Sequence, residues 1–421
     1  MRPVRAAALT AAPAPPLAWG DVPALEAVYG LYGPLRRREE CAVVAVAAAA
    51  AAAACLSARR HTVRALAPRL AAVLLLLLAA RQAVREVRHA PRLRPAADLA
   101  IKGSRFADIR GIGDVHYLDG ADALSDALPD FSYKRTSLVL HASHGFGANS
   151  LTLAPLLRRL ALRTRCAAAL AHDHPGFGLT ARPKDLKPYE LNGDVALQLA
   201  RQSGANVDSP RYCFVGHSMG CLSALEAAVK MADSAPTALV LVAPALSAAP
   251  SKVSGRWPVA QRLAGIFSRA PLAWPARLFL RRLVAAPNFW PKGLGACWAP
   301  PPREDADLLQ QSCRAYGLAG GCAGWDAGLV RFCAARLRQV TAPSADVVKQ
   351  AAALISAGKL TALVIQGKQD AIVPAAGTRR LVAALGAVGL MEVDECGHCP
   401  QEEYTDAVVQ AIAGFVGDDS S

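Results

Sequence analysis

The chain has no N-x-S/T sequon, and its eleven cysteines are an odd number spread thinly over 421 residues. The dense, even disulfide framework of a small secreted domain is thereby excluded, and the usage leans towards a reducing compartment. Aromatics are scarce at 6%, and lysine is absent from the first hundred residues, where fourteen arginines stand against six acids. That stretch carries +8 of the net charge of +14, leaving +6 for the other 321 residues. Charge so unevenly placed argues against a nucleic-acid-binding body, and no basic motif interleaved with aromatics is present, so nucleic acid is not an expected partner. The length implies one large domain plus an extension, with a core that needs no covalent staple.

The arginine excess points instead to targeting or a membrane surface. Met1-Arg2-Pro3-Val4-Arg5 followed by alanines has the look of an organelle transit peptide, while Pro13, Pro15 and Pro16 interrupt any secretory apolar core. Residues 41–58 are uncharged and would cover about 27 Å as a helix, yet eleven of the 18 are alanine. A second run, Leu70–Ala80, has six leucines in 11 residues and spans a bilayer only if Arg69 and Arg81 snorkel outward or the helix extends from about Ala65. Residues 1–100 are therefore read as an Ala/Arg-rich leader with candidate membrane segments at 41–58 and about 65–80. The expected localisation is membrane-associated, with plastid or mitochondrion as the address. The competing reading is a low-complexity leader that is cleaved or lacks order.

From about residue 101 the texture changes to strands alternating with helices, the pattern of a mostly parallel α/β sheet covered on both faces. A hairpin is expected around Gly111 and Gly113, then strands at 137–142, 166–171, 212–215, 237–242, 360–366 and 390–393. Helices are expected near 153–162, 192–203, after residue 220, at 377–386 and at 402–415. Residues 246–358 break this rhythm. They hold five of the six tryptophans and a scatter of prolines, and read as a helical lid over the carboxyl ends of the strands.

The chemistry centres on Gly216-His217-Ser218-Met219-Gly220, between the apolar run 212–215 and a helical stretch. A strand, a G-x-S-x-G turn and a helix start form a nucleophile elbow. A serine hydroxyl needs a base, and the base needs an orienting group. Histidine is scarce enough to name the base: of nine in the chain, only His398 follows His217. Asp370, after a strand and a glycine turn, fits the acid; Asp394 competes but stands only four residues from His398. His144 is read as ordering its loop, His217 as a packed polar residue, and Asp173 as a loop-fixing carboxylate. His172 and His174 suggest a metal pair but lack an acidic or cysteine partner at ligand spacing, so neither metal nor cofactor is expected. Cys396-Gly397-His398-Cys399 also spells a disulfide-isomerase motif. Too little chain follows it for such a domain, and Glu395 stands where a tryptophan is usual. What survives of that reading is a redox switch in which linking Cys396 to Cys399 disturbs His398.

With HGFG at 144–147, D-x-P-G-F-G at 173–178, G-x-x-D-x-x-x-P at 367–374 and the order Ser…Asp…His, residues 101–421 resemble the α/β-hydrolase superfamily. The resemblance implies that Ser218 is the nucleophile, His398 the general base and acid, and Asp370 its orienting carboxylate. It also implies an oxyanion hole made by the backbone N–H groups of Phe146 and Met219. Serine at the elbow argues against the aspartate-dependent epoxide hydrolases and dehalogenases of that superfamily. The expectation is a lidded serine hydrolase acting without cofactor on a hydrophobic carboxylic ester. Thioester, amide and C–C cleavage, and a non-catalytic binding protein, are the alternatives.

Overall fold

The computed structural model describes residues 93–121, 135–187, 192–246, 273–284, 286, 288–299, 306–338 and 343–417. Their alternating apolar strands form one eight-stranded sheet in the order β1-β2-β4-β3-β5-β6-β7-β8. The strands are β1 Ser104–Ile109, β2 Gly113–Asp119, β3 Leu138–Ser143, β4 Ala168–His172, β5 Arg211–His217, β6 Thr237–Val242, β7 Leu360–Gly367 and β8 Gly389–Val393. β1 and β2 form the expected hairpin, with Ser104 opposite Leu118 and Ile109 opposite Gly113; β2 also pairs antiparallel with β4. The remaining pairings, from β4 through β3 to β8, are parallel.

Strand side chains alternate between the faces, so each parallel strand feeds two cores. Tyr212, Phe214, Leu239 and Leu241 join one cluster, while Cys213, Val215, Val240 and Val242 join the other. Helices α2 Asn192–Gly204 and α3 Gly220–Met231 cover the first face, and α1 Ala154–Thr164 covers the second. The chain crosses from one side of β3 to the other between β4 and β5. A crevice opens at such a reversal, at the carboxyl ends of the strands.

Between β6 and β7 the described lid comprises α4 Trp274–Val284, α5 Phe289–Cys297, α6 Ala306–Gly317 and α7 Trp325–Arg338. Asp326, fully buried, ties α7 to α4 by accepting from Nε of Arg277 at 2.9 Å and of Arg281 at 2.7 Å. The next helix, α8 Pro343–Ser356, falls within the stretch 246–358 read as lid, yet it belongs to the sandwich. Its Val348, Ala351 and Ile355 pack in the first core with Leu360 and Leu381, so the excursion ends before residue 343. Helices α9 Ala375–Leu385, α10 Pro400–Glu403 and α11 Thr405–Val416 complete the body.

The leader boundary also moves. Arg94 N–H donates to Gly321 O and Arg94 O accepts from Ala323 N–H, while Leu99 is buried with Leu118, Leu151 and Leu318. Residues 94–99 are thus part of the packed body rather than of the leader. Among the described residues no helix is long and apolar enough to cross a membrane. The candidate segments 41–58 and 65–80 lie outside the described residues.

Candidate active site

Ser218 follows β5 with φ of +52°, a left-handed conformation that costs a non-glycine residue about 1–3 kcal/mol. Close packing holds it there. The Ser218 N–H donates to Val242 O at 2.9 Å, and its carbonyl accepts from the N–H groups of Cys221 and Ala245. The flanking glycines are obligatory. A Cβ on Gly216 would lie 2.5 Å from Cys221 Cα, and one on Gly220 would lie 2.2 Å from Ser143 O.

His398 stands beyond β8, and its Nε2 is 3.0 Å from Ser218 Oγ. Its Nδ1 donates to Asp370 Oδ2 at 2.8 Å. A carboxylate can only accept, so this bond fixes the tautomer and leaves Nε2 free to take the serine proton. Burial alone would raise the Asp370 carboxyl. The hydrogen bonds from His398 and from the N–H groups of Val373 and Ile372 outweigh burial and hold it below the usual range. Gln366 also binds it, donating from Nε2 to Asp370 Oδ2 at 3.1 Å and to Val373 O, while its Oε1 accepts from Thr378. Asp394 is paired with Lys368 at the surface and takes no part.

The loop after β3 packs on the elbow: a Cβ on Gly145 would lie 3.3 Å from Ser218 Cβ. Among the described residues, neither the Phe146 nor the Met219 backbone N–H finds an acceptor, as two donors reserved for a developing oxyanion would require. His144 orders this loop. Its Nδ1 donates to Gly145 O at 2.7 Å and its Nε2 accepts from His174 N–H at 3.0 Å. Asp173 accepts from Ser150 N–H, Leu179 N–H and His116 Nδ1. Burial would raise its carboxyl, but His116 and these donors carry it below the usual range. Gly178 is required opposite it, since a Cβ there would fall 1.8 Å from Asp173 Oδ2.

His217 donates from Nε2 to His398 O at 2.9 Å. Burial, with His398 nearby, lowers its pKa to about 3, so the ring is neutral. His172 Nδ1 lies 3.1 Å from His141 Nε2. Among the described residues no group of three or more His, Cys, Asp or Glu has metal-binding geometry. Cys396 and Cys399 are both buried free thiols. Sequence reasoning gave no role to Gln366, Glu402 or Glu403; none sits in a motif, and Glu402 and Glu403 reach Tyr316 and Ala299, each more than eighty residues away in the chain.

Ser218 and His398 open on a cavity of about 410 Å³ whose other walls are mainly apolar, with Leu280, Phe289, Trp290, Leu294, Trp325 and Leu329 among its lining. Trp298 is buried away from it, and Trp257, Phe267 and the side chains of Trp274 and Phe279 lie outside the described residues.

A left-handed serine above a parallel sheet, hydrogen-bonded to a histidine that is fixed by a carboxylate, defines the hydrolase class of α/β protein. The chain belongs to the alpha/beta hydrolase family, whose profile matches residues 138–411. No curated protein matches it by sequence. Among solved structures it is similar to a probable hydrolytic enzyme from Pseudomonas aeruginosa PAO1, at 16% identity and TM-score 0.54, covering 75% of this chain and 94% of that one. An esterase from Thermogutta terrifontis is similar at 17% identity and TM-score 0.50, with 74% and 97% covered. The enol-lactonase of Burkholderia xenovorans LB400 follows at 19% identity and TM-score 0.49, with 74% and 99% covered. At such identities the first two likenesses establish the fold alone, and nothing is built on the third.

The buried histidines make stability pH-dependent. Burial lowers the His141 pKa to about 3, whereas the unfolded chain protonates it near 6.5. The unfolded state therefore binds the extra proton first, and stability from His141 is full above pH 6.5 and lost as pH falls below it. Between pH 7.5 and 5.5 that loss is about 1.4 kcal/mol. In urea denaturation, wild type should lose about that much more stability over this interval than His141→Asn. Equal losses would contradict the assignment of a neutral buried ring.

Proposed function

We propose that this hydrolase cleaves a carboxylic ester with an apolar acyl or alcohol group through an acyl-enzyme on Ser218. The observation that carries the reading is the pair of contacts on His398, 3.0 Å to Ser218 Oγ and 2.8 Å to Asp370, at the mouth of an apolar cavity. Ser218 Oγ attacks the carbonyl carbon as its proton passes to His398 Nε2, with Asp370 stabilising the imidazolium. The N–H groups of Phe146 and Met219 receive the oxyanion. Collapse expels the alcohol, which takes the proton from His398. A water deprotonated by His398 then attacks the acyl-serine, and His398 returns the proton to Ser218 Oγ as the acid is released. No step calls for a cofactor or metal. The intact Ser218, His398 and Asp370 set disfavours a non-catalytic binding protein, which needs none of the three.

We also assign the N-terminal region to membrane attachment, through 41–58 and about 65–80 and the surrounding arginines. A plastid or mitochondrial address suits the leader composition and brings lipid-like esters within reach.

With p-nitrophenyl esters, each added acyl methylene buried in the cavity should raise kcat/KM up to about fourfold, from roughly 0.8 kcal/mol. The climb should level off where the cavity ends. Trp290→Ala should flatten it while sparing the acetate, and Ser218→Ala should abolish turnover of every ester, by up to about a millionfold. A preference for acetyl or charged esters indifferent to Trp290 would sink the hydrophobic-ester reading.

Deleting residues 1–92 should leave a soluble, active enzyme, whereas the full chain should stay with membranes through carbonate extraction. The cut stops at 92 because Arg94 and Leu99 are packed into the body. Release of the full chain by high salt alone would replace a spanning segment with electrostatic surface binding.

A further inference from the structure

We propose that Glu403 is a positioning residue for His398, and that it builds the end of lid helix α5 into the cradle of that histidine. The proposal rests on the reading of Ser218, His398 and Asp370 as a hydrolytic triad.

Glu403 ends the short helix Pro400–Glu403 and is buried. Its Oε1 accepts from the N–H groups of Gly397 at 3.1 Å and Cys399 at 3.2 Å. Its Oε2 accepts from Gly397 N–H at 3.0 Å and from Ala299 N–H at 2.8 Å. One carboxylate thus brackets His398 from both sides and reaches the lid chain 104 residues away. The intervening N–H, that of His398 itself, donates to Cys297 O at 2.6 Å. Three consecutive backbone donors are therefore divided between Glu403 and the lid, and His217 holds the His398 carbonyl.

This arrangement matters because the imidazole must meet Ser218 and Asp370 together, and only two side-chain torsions separate it from the backbone. If the backbone drifts, one of the two hydrogen bonds is lost. The lid is pressed against the same loop: a Cβ on Gly397 would lie 2.3 Å from Cys297 O and 2.7 Å from Ala299 N. Residues 297–299, at the end of lid helix α5, are thus a fixed point of the lid rather than a free edge. Glu402 provides a built-in comparison. It is also buried and also reaches the lid, accepting from Tyr316 O–H at 2.8 Å, but its carboxyl group makes no hydrogen bond to the 397–399 backbone. Loss of lid anchoring alone and loss of histidine positioning can therefore be told apart.

The test uses the full chain, p-nitrophenyl acetate and p-nitrophenyl hexanoate, with melting temperature and circular dichroism as folding controls. Glu403→Ala should lower kcat about 10- to 100-fold, the scale of a misplacement of about 1 Å in a catalytic group. The loss should be the same for both esters, with KM shifted less than about threefold. Glu403→Gln keeps one acceptor oxygen but sets an NH2 group against a backbone donor, so kcat should be partly restored; being nearly isosteric, it carries the test if the alanine variant fails to fold. Glu402→Gln should instead change KM, more for hexanoate than for acetate. Wild-type kcat in folded Glu403 variants, or an effect confined to KM or melting temperature, overturns the positioning role alone. Absence of wild-type turnover on both esters overturns the triad reading, and the positioning role with it.

Discussion

The structure depends on how closely the elbow backbone approaches the loop after β3. Ser218 can be left-handed only because Gly216 and Gly220 let the chain turn in a space where any side chain would meet Cys221 or the Ser143 carbonyl. The about 1–3 kcal/mol held in that conformation is offset by bonds to β6 and to the start of α3, so strain and sheet formation are one event. The same approach brings Gly145, and with it the loop that carries Phe146, against Ser218.

Charge is handled differently from shape. The polar groups near the reacting atoms are buried, and each is given a defined partner. His144, His217 and His141 remain neutral because burial penalises their charged forms. Asp370 and Asp173 remain ionised because donors surround them. Near His398, neutral neighbours and one held carboxylate are what a base that must gain and lose a proton requires. Gln366 extends the same logic outward by fixing Asp370 and the Val373 carbonyl together.

Much of this was legible in the sequence because local rules and global order agree. The 237–242 strand follows from a continuous apolar run, and the hairpin and the elbow from alternation or an apolar run beside turn glycines. The candidates Ser218, Asp370 and His398 followed from the elbow motif, histidine scarcity and strand order, and their roles from the family resemblance. What stayed hidden was interaction across sequence distance. Helix 343–356 carries no mark that distinguishes a sandwich helix from a lid helix, since its apolar face is defined only by the core it meets. Residues 94–99 look like the end of a leader until Gly321 and Ala323 supply hydrogen bonds. Glu402 and Glu403 received no role, because the partners that define them, Tyr316 and Ala299, are remote in the chain.

The central claim is that Ser218 is activated through His398. Intact-protein and peptide mass spectrometry after treatment with a fluorophosphonate tests it most directly. The account predicts a single phosphonyl adduct on the peptide containing Ser218, formed rapidly in wild type and slowed by orders of magnitude in His398→Ala. No adduct, an adduct on another serine, or equal labelling rates in the two proteins would contradict it.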